Sequence, residues 1–192
     1  GSEEGYELPT EPFGGAEQLD WAPDSRHIAY SCRKKVGKEY AFSTNSCIYV
    51  YDIVTGGTVA VTTEGGYDTD PVWSPDGKHL AWISMERDGY EADKQRLFIA
   101  DIITLEPEEE GQNFGLEIGA KREVAASLDA DVSGIFWTEG SGEIIVPAVV
   151  DAVQALFSVD LGKPEPELRR LTPEDWWFGF DVPFFHSQAE DG

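Results

Sequence analysis

His27, His79 and His186 are the only imidazoles in the sequence, and a hydrolytic role would need one of them beside a serine and a carboxylate. His27 and His79 hold the same place in two similar phrases, LDWAPDSRHIAY (19–30) and TDPVWSPDGKHLAWI (69–83). A role repeated in this way points to structure. His186 stands alone, with no serine and aspartate in a recognisable arrangement, so a triad is not expected. Asp20, Asp52, Asp70, Asp101 and Asp160 recur by position beside apolar runs. Short carboxylates satisfy the backbone of turns, and contacts within and between repeats are the role expected of them. Calcium needs several oxygen ligands in one compact loop; Asp68 and Asp70 are two candidates without that pattern. Glu108, Glu109 and Glu110 form an acidic run best read as solvated.

Cys32 and Cys47 flank the fourteen residues RKKVGKEYAFSTNS. If the flanking runs pair as strands, a disulfide could close that loop, which would imply an oxidising compartment. Two separate thiols are the other reading, and both stay open. No histidine lies near enough to suggest a metal site, and no cofactor is expected. The net charge of -23, from 37 acidic against 14 basic residues, repels phosphate backbones and anionic membrane surfaces. Nucleic-acid binding is therefore not expected. No apolar run approaches the roughly 18–20 residues of a spanning helix, and no leader sequence is visible.

The elements that carry these groups follow from an internal repeat. With Trp21, Trp73 and Trp137 in register, Ala22-Pro23-Asp24-Ser25 lies under Ser74-Pro75-Asp76-Gly77, and Thr138-Glu139-Gly140-Ser141 under both. Each phrase reads as a strand, a tight turn and a second strand. A third run ending in Asp follows each time: CIYVYD (47–52), RLFIAD (96–101) and ALFSVD (155–160). Weaker fourth runs begin at Thr58, Arg122 and Glu167. The tryptophans are 52 and 64 residues apart, and loops over Arg33–Ser46 and Leu105–Lys121 are expected to absorb the extra length. Four short strands per repeat, with length variation confined to loops, predict an all-β fold of β-propeller blades. The blades are expected at about 17–63, 68–127 and 131–172, with the start of another at 178–192. Propellers typically close with four to eight blades, so a partial propeller from a longer protein is expected.

The WSPDG phrase marks propeller repeats of TolB-like proteins and of peptidases alike. Two longer stretches, SCRKKVGKEYAFSTNSCIYVYD (31–52) and WISMERDGYEADKQRLFIADI (82–102), narrow the match. They resemble blades of prolyl oligopeptidase family serine peptidases, in the dipeptidyl peptidase and acylaminoacyl peptidase-like branch of Bacteroides-type bacteria. The resemblance implies a propeller that precedes an α/β-hydrolase domain, restricts access to its Ser-His-Asp site and helps to select short peptides. It also implies a periplasmic or secreted protein. The sequence contains no G-x-S-x-G nucleophile elbow, so the chain by itself is expected to be inactive. Its expected partners are that hydrolase domain, short peptides as the parent's substrate, and further copies of itself through open blade edges. The loop holding Glu86, Arg87, Asp88, Tyr90 and Glu91 either contacts the hydrolase domain, rims the substrate channel, or is a solvated hairpin loop. The alternative function is a TolB-like propeller that binds protein partners and catalyses nothing.

Overall fold

The structure, a computed structural model, describes residues 18–33, 45–63, 66–85, 93–105, 115–163 and 165–174. These residues form twelve β-strands and no α-helix. The strands make three four-stranded antiparallel sheets, each ordered as in the chain. The first holds β1 (Leu19–Trp21), β2 (His27–Cys32), β3 (Cys47–Asp52) and β4 (Thr58–Ala60). The second holds β5 (Tyr67–Trp73), β6 (His79–Met85), β7 (Arg96–Leu105) and β8 (Gly115–Glu123). The third holds β9 (Phe136–Trp137), β10 (Glu143–Val150), β11 (Val153–Asp160) and β12 (Glu167–Arg170). This is an open set of propeller blades, in agreement with the fold class expected from the repeat. The expected start of another blade at 178–192, with His186, lies outside the described residues, as does the aromatic run Trp176–Phe180.

The hairpins are built alike because their turns carry the same chemistry. Ser25, Gly77 and Ser141 hold the same turn position with φ of 57°, 70° and 57°. Their amides donate to Ala22 O (3.0 Å), Ser74 O (2.9 Å) and Thr138 O (3.0 Å). The amides of Ala22, Ser74 and Thr138 in turn close on His27 O, His79 O and Glu143 O. Glycine takes a left-handed φ at no steric cost, whereas serine does so under strain.

Packing follows from the period of two. Along β6, Leu80 and Trp82 join the core shared with the first sheet, with Ala29, Ile48 and Val50. Ala81 and Ile83 join the core shared with the third sheet, with Ile144, Val146 and Phe157. The central sheet is thus covered on both faces, which is why β6 reads as nearly continuous apolar sequence. Burial of each such large side chain contributes about 1.5–3 kcal/mol.

One expected loop is partly strand. Repeat spacing predicts a loop over residues 105–121, yet β7 runs on to Leu105 and β8 begins at Gly115. Leu116 and Ile118 pack against the core between the first two sheets, which supports the longer ladder. A register shift between Ala100 and Ile102 keeps the pairing going. There a Cβ on Gly119 would come within 3.1 Å of Asp101 Cβ, so glycine permits the close approach. A second irregularity between Thr69 and Val72 accommodates Pro71, which lacks an N–H, with Asp70 at a φ of 52°. Among the described residues no helix is long and apolar enough to cross a membrane.

Candidate functional site

Most polar groups singled out by the sequence are tied into the blade frame where they are described, although buried Asp68 keeps Oδ1 without a hydrogen-bond partner among the described residues. His27 is buried, and its Nδ1 lies 2.6 Å from Asp24 Oδ2 in the turn before it. Asp24 also accepts the amides of Arg26 (2.8 Å) and His27 (3.0 Å). Burial pushes the Asp24 carboxyl up, but the His27 contact and these two amides hold it below its ordinary value. His79, at the equivalent place, instead has Nδ1 3.0 Å from Asp101 Oδ1 and stacks on Trp137 of the next sheet, with ring centres 6.1 Å apart. Asp101 also accepts from Arg122 Nη1 at 3.1 Å.

The other recurring aspartates divide between turns and sheet-to-sheet contacts. Asp52 accepts Arg26 Nε (2.9 Å) and Nη2 (2.5 Å), together with the amide of Val54 (2.9 Å) and the hydroxyl of Thr55 (2.9 Å). The Arg26 guanidinium, seconded by these donors, holds its carboxyl far below the usual carboxylate range. Asp160 accepts the amide of Gly162 at 2.9 Å. Asp20 reaches between sheets, where its Oδ2 accepts Trp73 N at 2.7 Å. Burial raises the Asp20 carboxyl, and the amides of Trp73 and Trp21 offset only part of that. A cavity of about 210 Å³ opens between His27, Asp52, Thr55 and Leu116. It is smaller than most small-molecule sites, and the polar groups named on its wall are already engaged. Among the described residues the rings of His27 and His79 bond to Asp24 and Asp101, and neither bonds to a serine, threonine or cysteine side chain. Among the described residues no cluster of three or more His, Cys, Asp or Glu is placed to hold a metal ion.

What these residues do together is lock one blade against the next. Trp137 Nε1 donates to Val72 O at 3.2 Å, and Asp76 N donates to Ser141 Oγ at 3.0 Å. Ser46 Oγ donates to Asp68 O at 2.6 Å beside a parallel bridge between Ser46 and Tyr67. A Cβ on Gly77 would lie 3.7 Å from Pro23 Cδ, so with the Asp76–Ser141 bond the three turns adjoin along one rim. Sequence reasoning placed Ser141 in its turn and Ser46 at a loop end but did not foresee that their hydroxyls bridge the sheets. Their only signal is a hydroxyl at a strand end or turn, which most strands carry without such a role.

The interface repeats with one gap. Trp73 and Trp137 face the preceding sheet and are 6% and 7% exposed, whereas Trp21 is 57% exposed. By register Trp21 shares the outer face of the first sheet with Leu19, Ile28, Tyr30, Tyr49 and Tyr51. That face carries no described sheet against it. Tyr30 and Tyr49 stack there, with ring centres 5.6 Å apart.

Glu86, Arg87, Asp88, Tyr90 and Glu91 lie outside the described residues, as does the run Glu108–Glu110. At the near edge of the first of these segments, Lys94 Nζ donates to Leu128 O, and Gln95 N donates to Asp131 Oδ1 at 2.8 Å. Cys32 and Cys47 face one another as register partners and are buried thiols.

Comparison with known proteins separates what the fold says from what the sequence says. No protein-family profile matches the chain. Over 160 residues it is 43% identical to dipeptidyl-peptidase 5 of Porphyromonas gingivalis, a match that covers 82% of this chain and 21% of that protein. The chain thus spans about a fifth of the length of this relative. Among solved structures it is similar to prolyl oligopeptidase B of Galerina marginata, with a TM-score of 0.55 and 19% identity over 82% of this chain and 20% of that one. It is also similar to an Agrobacterium tumefaciens protein assigned to TolB, with a TM-score of 0.50 and 14% identity over 79% of this chain and 47% of that one. At these identities the structures speak for the propeller fold alone.

Proposed function

We propose, on the premise that this chain is a propeller segment of the dipeptidyl-peptidase branch of the prolyl oligopeptidase family, that it forms part of a ring which restricts peptide access to a separate serine hydrolase domain. The observation that carries this reading is the contrast between Trp21 and its two equivalents. Blade faces built to be covered are covered twice within the chain and exposed once, which suits a segment of a larger ring. The extent of the match to the relative points the same way, since four fifths of that protein lies outside the match. In this reading the ring admits short peptides, and the chemistry is done elsewhere. A serine activated by histidine attacks the peptide, and backbone amides stabilise the oxyanion. The loop of Glu86, Arg87, Asp88, Tyr90 and Glu91 is assigned to the contact with the hydrolase domain or to the channel rim. We place the protein in the periplasm or outside the cell, as suits a bacterial relative of this kind.

The fold alone also suits a TolB-like propeller that binds proteins, and one experiment separates the two. The full-length protein is assayed on dipeptidyl chromogenic substrates beside the isolated 192-residue chain. The peptidase reading expects turnover by the full-length protein, abolished by a serine-directed inhibitor, and none by the isolated chain. Inhibitor-sensitive turnover by the isolated chain would overturn it. So would a full-length protein that ends with its propeller and hydrolyses nothing.

A further inference from the structure

Cys32 closes β2, Cys47 opens β3, and the two are register partners across the ladder. Residues directly opposite in an antiparallel pair share a face, so their side chains project to the same side. Just beyond the other end of the ladder, Ile53 N donates to Arg26 O at 3.1 Å, which makes those two a hydrogen-bonded pair. Pair types alternate along an antiparallel ladder, and the register between these strands runs without a shift. Cys32 and Cys47 are therefore a hydrogen-bonded pair, with Cα atoms about 5.5 Å apart. That lies within the Cα range of disulfides, while the Cβ atoms, about 5.5 Å apart in such a pair, must draw in to about 3.5–4.5 Å for the bond to close. Both residues are buried, at 2% and 5% exposure. Tyr49, two residues along the same face, holds its phenol proton more tightly than usual, first through burial and then through the nearness of both sulfurs. Both thiols are thus shielded from solvent beside the stacked tyrosines.

We propose that Cys32 and Cys47 form a disulfide under oxidising conditions, joining β2 to β3 and sealing the fourteen residues between them into a closed loop. The oxidant is a small-molecule or protein disulfide. One cysteine thiolate attacks a sulfur of that disulfide, forming a mixed disulfide and expelling one thiolate. The second cysteine thiolate then attacks the mixed disulfide and expels the other. Two thiols have been oxidised and one disulfide reduced, with both cysteine protons ending on the expelled thiols. Because both sulfurs are buried in the finished sheet, the exchange takes place while β2 and β3 are coming together. This inference stands on the ladder and not on the peptidase reading, so either can fail without the other.

The test is to refold the chain in an oxidising glutathione buffer and then to titrate thiols in denaturant without reductant. No reactive thiol is expected, with an intact mass lighter by two hydrogens and a cross-linked peptide joining the two cysteines. The oxidised protein is expected to melt roughly 5–10 °C above the same protein held in reductant. The double variant C32S/C47S is expected to lose that dependence on reductant. Two titratable thiols per chain after oxidative refolding would overturn the proposal, and so would disulfide-linked dimers in place of the internal bond. Should the double variant fail to fold, the peptide map of the unaltered chain still decides.

Discussion

Asp52 shows how a difference of one neighbour redirects a repeated residue. Its counterpart Asp101 lies opposite a histidine in the same way, since His27 pairs with Asp52 in register and His79 with Asp101. Arg26 grips Asp52 with both arms of its guanidinium, so His27 turns to Asp24. Lys78, a point charge without that fork, stands at the equivalent place, and His79 takes Asp101. The recurrence of these aspartates was legible in the sequence, because turn chemistry leaves a positional trace. Their partners were not, because a partner depends on which side chains the sheet brings within reach and which of them binds the carboxylate best. The pH dependence follows with a definite sign. Asp24, Asp52 and Asp76 have folded values below their unfolded one, so each adds stability that is full above about pH 4 and is lost as pH falls through the folded value. Asp20 is raised and acts in the opposite sense, its cost at neutral pH easing as it protonates. Stability is therefore expected to fall below about pH 4. Asp52→Asn is expected to lose about 1–2 kcal/mol at pH 7, the charge-assisted bonds being discounted for the solvent that reaches them. The variant and the unaltered chain should converge toward pH 2, which urea midpoints across that range would show. Parallel curves throughout would contradict the assignment.

At the scale of elements, the three hairpins use one turn whose left-handed position holds serine twice and glycine once. Ser25 is exposed, and Ser141 is buried with its hydroxyl accepting from Asp76 N in the neighbouring sheet. The two serines therefore respond differently to the same change. Ser25→Gly removes left-handed strain and is expected to stabilise by roughly 0.5–1 kcal/mol, after the extra entropy of the unfolded glycine chain. Ser141→Gly gains the same relief but forfeits a bond between sheets worth about 1 kcal/mol, so it should fall level with the unaltered chain or below it. Denaturant midpoints of the two variants test this, and an equal gain from both would show that the bond between the turns contributes nothing. The hairpins were legible because Pro, Asp and Gly at fixed offsets specify a turn by backbone geometry. The long β7–β8 ladder was not, since Gly115 and Gly119 punctuate β8 and the Leu116–Ile118 alternation is too short to stand out. Only the apolar floor supplied by the first sheet turns that segment into strand.

For the molecule as a whole, two opposing surfaces decide how the isolated chain behaves. The outer face of the first sheet exposes Leu19 (41%), Trp21 (57%) and Tyr51 (36%), at the positions through which the other sheets meet their predecessors. The third sheet exposes Val149 (42%), and Leu171 just past β12 is 41% exposed. Covering such faces is favourable at about 25 cal/mol per Å² of apolar area. Against this stands a net charge of -23, which repels a second copy of the chain. Salt screens the repulsion over about 10 Å at 0.1 M while leaving the apolar term in place. Self-association of the isolated chain is therefore expected to strengthen with ionic strength, the reverse of a contact held by ion pairs. Sedimentation at rising concentration in low and high salt would measure it. Trp21→Ser with Tyr51→Ser should weaken the association without altering the two internal cores, because neither side chain belongs to them. A strictly monomeric chain at high salt and high concentration would count against the outer face as a docking surface. In the full-length protein the same face is expected to be covered by another blade. Trp21 there should be shielded from a soluble quencher that reaches it in the isolated, dilute chain.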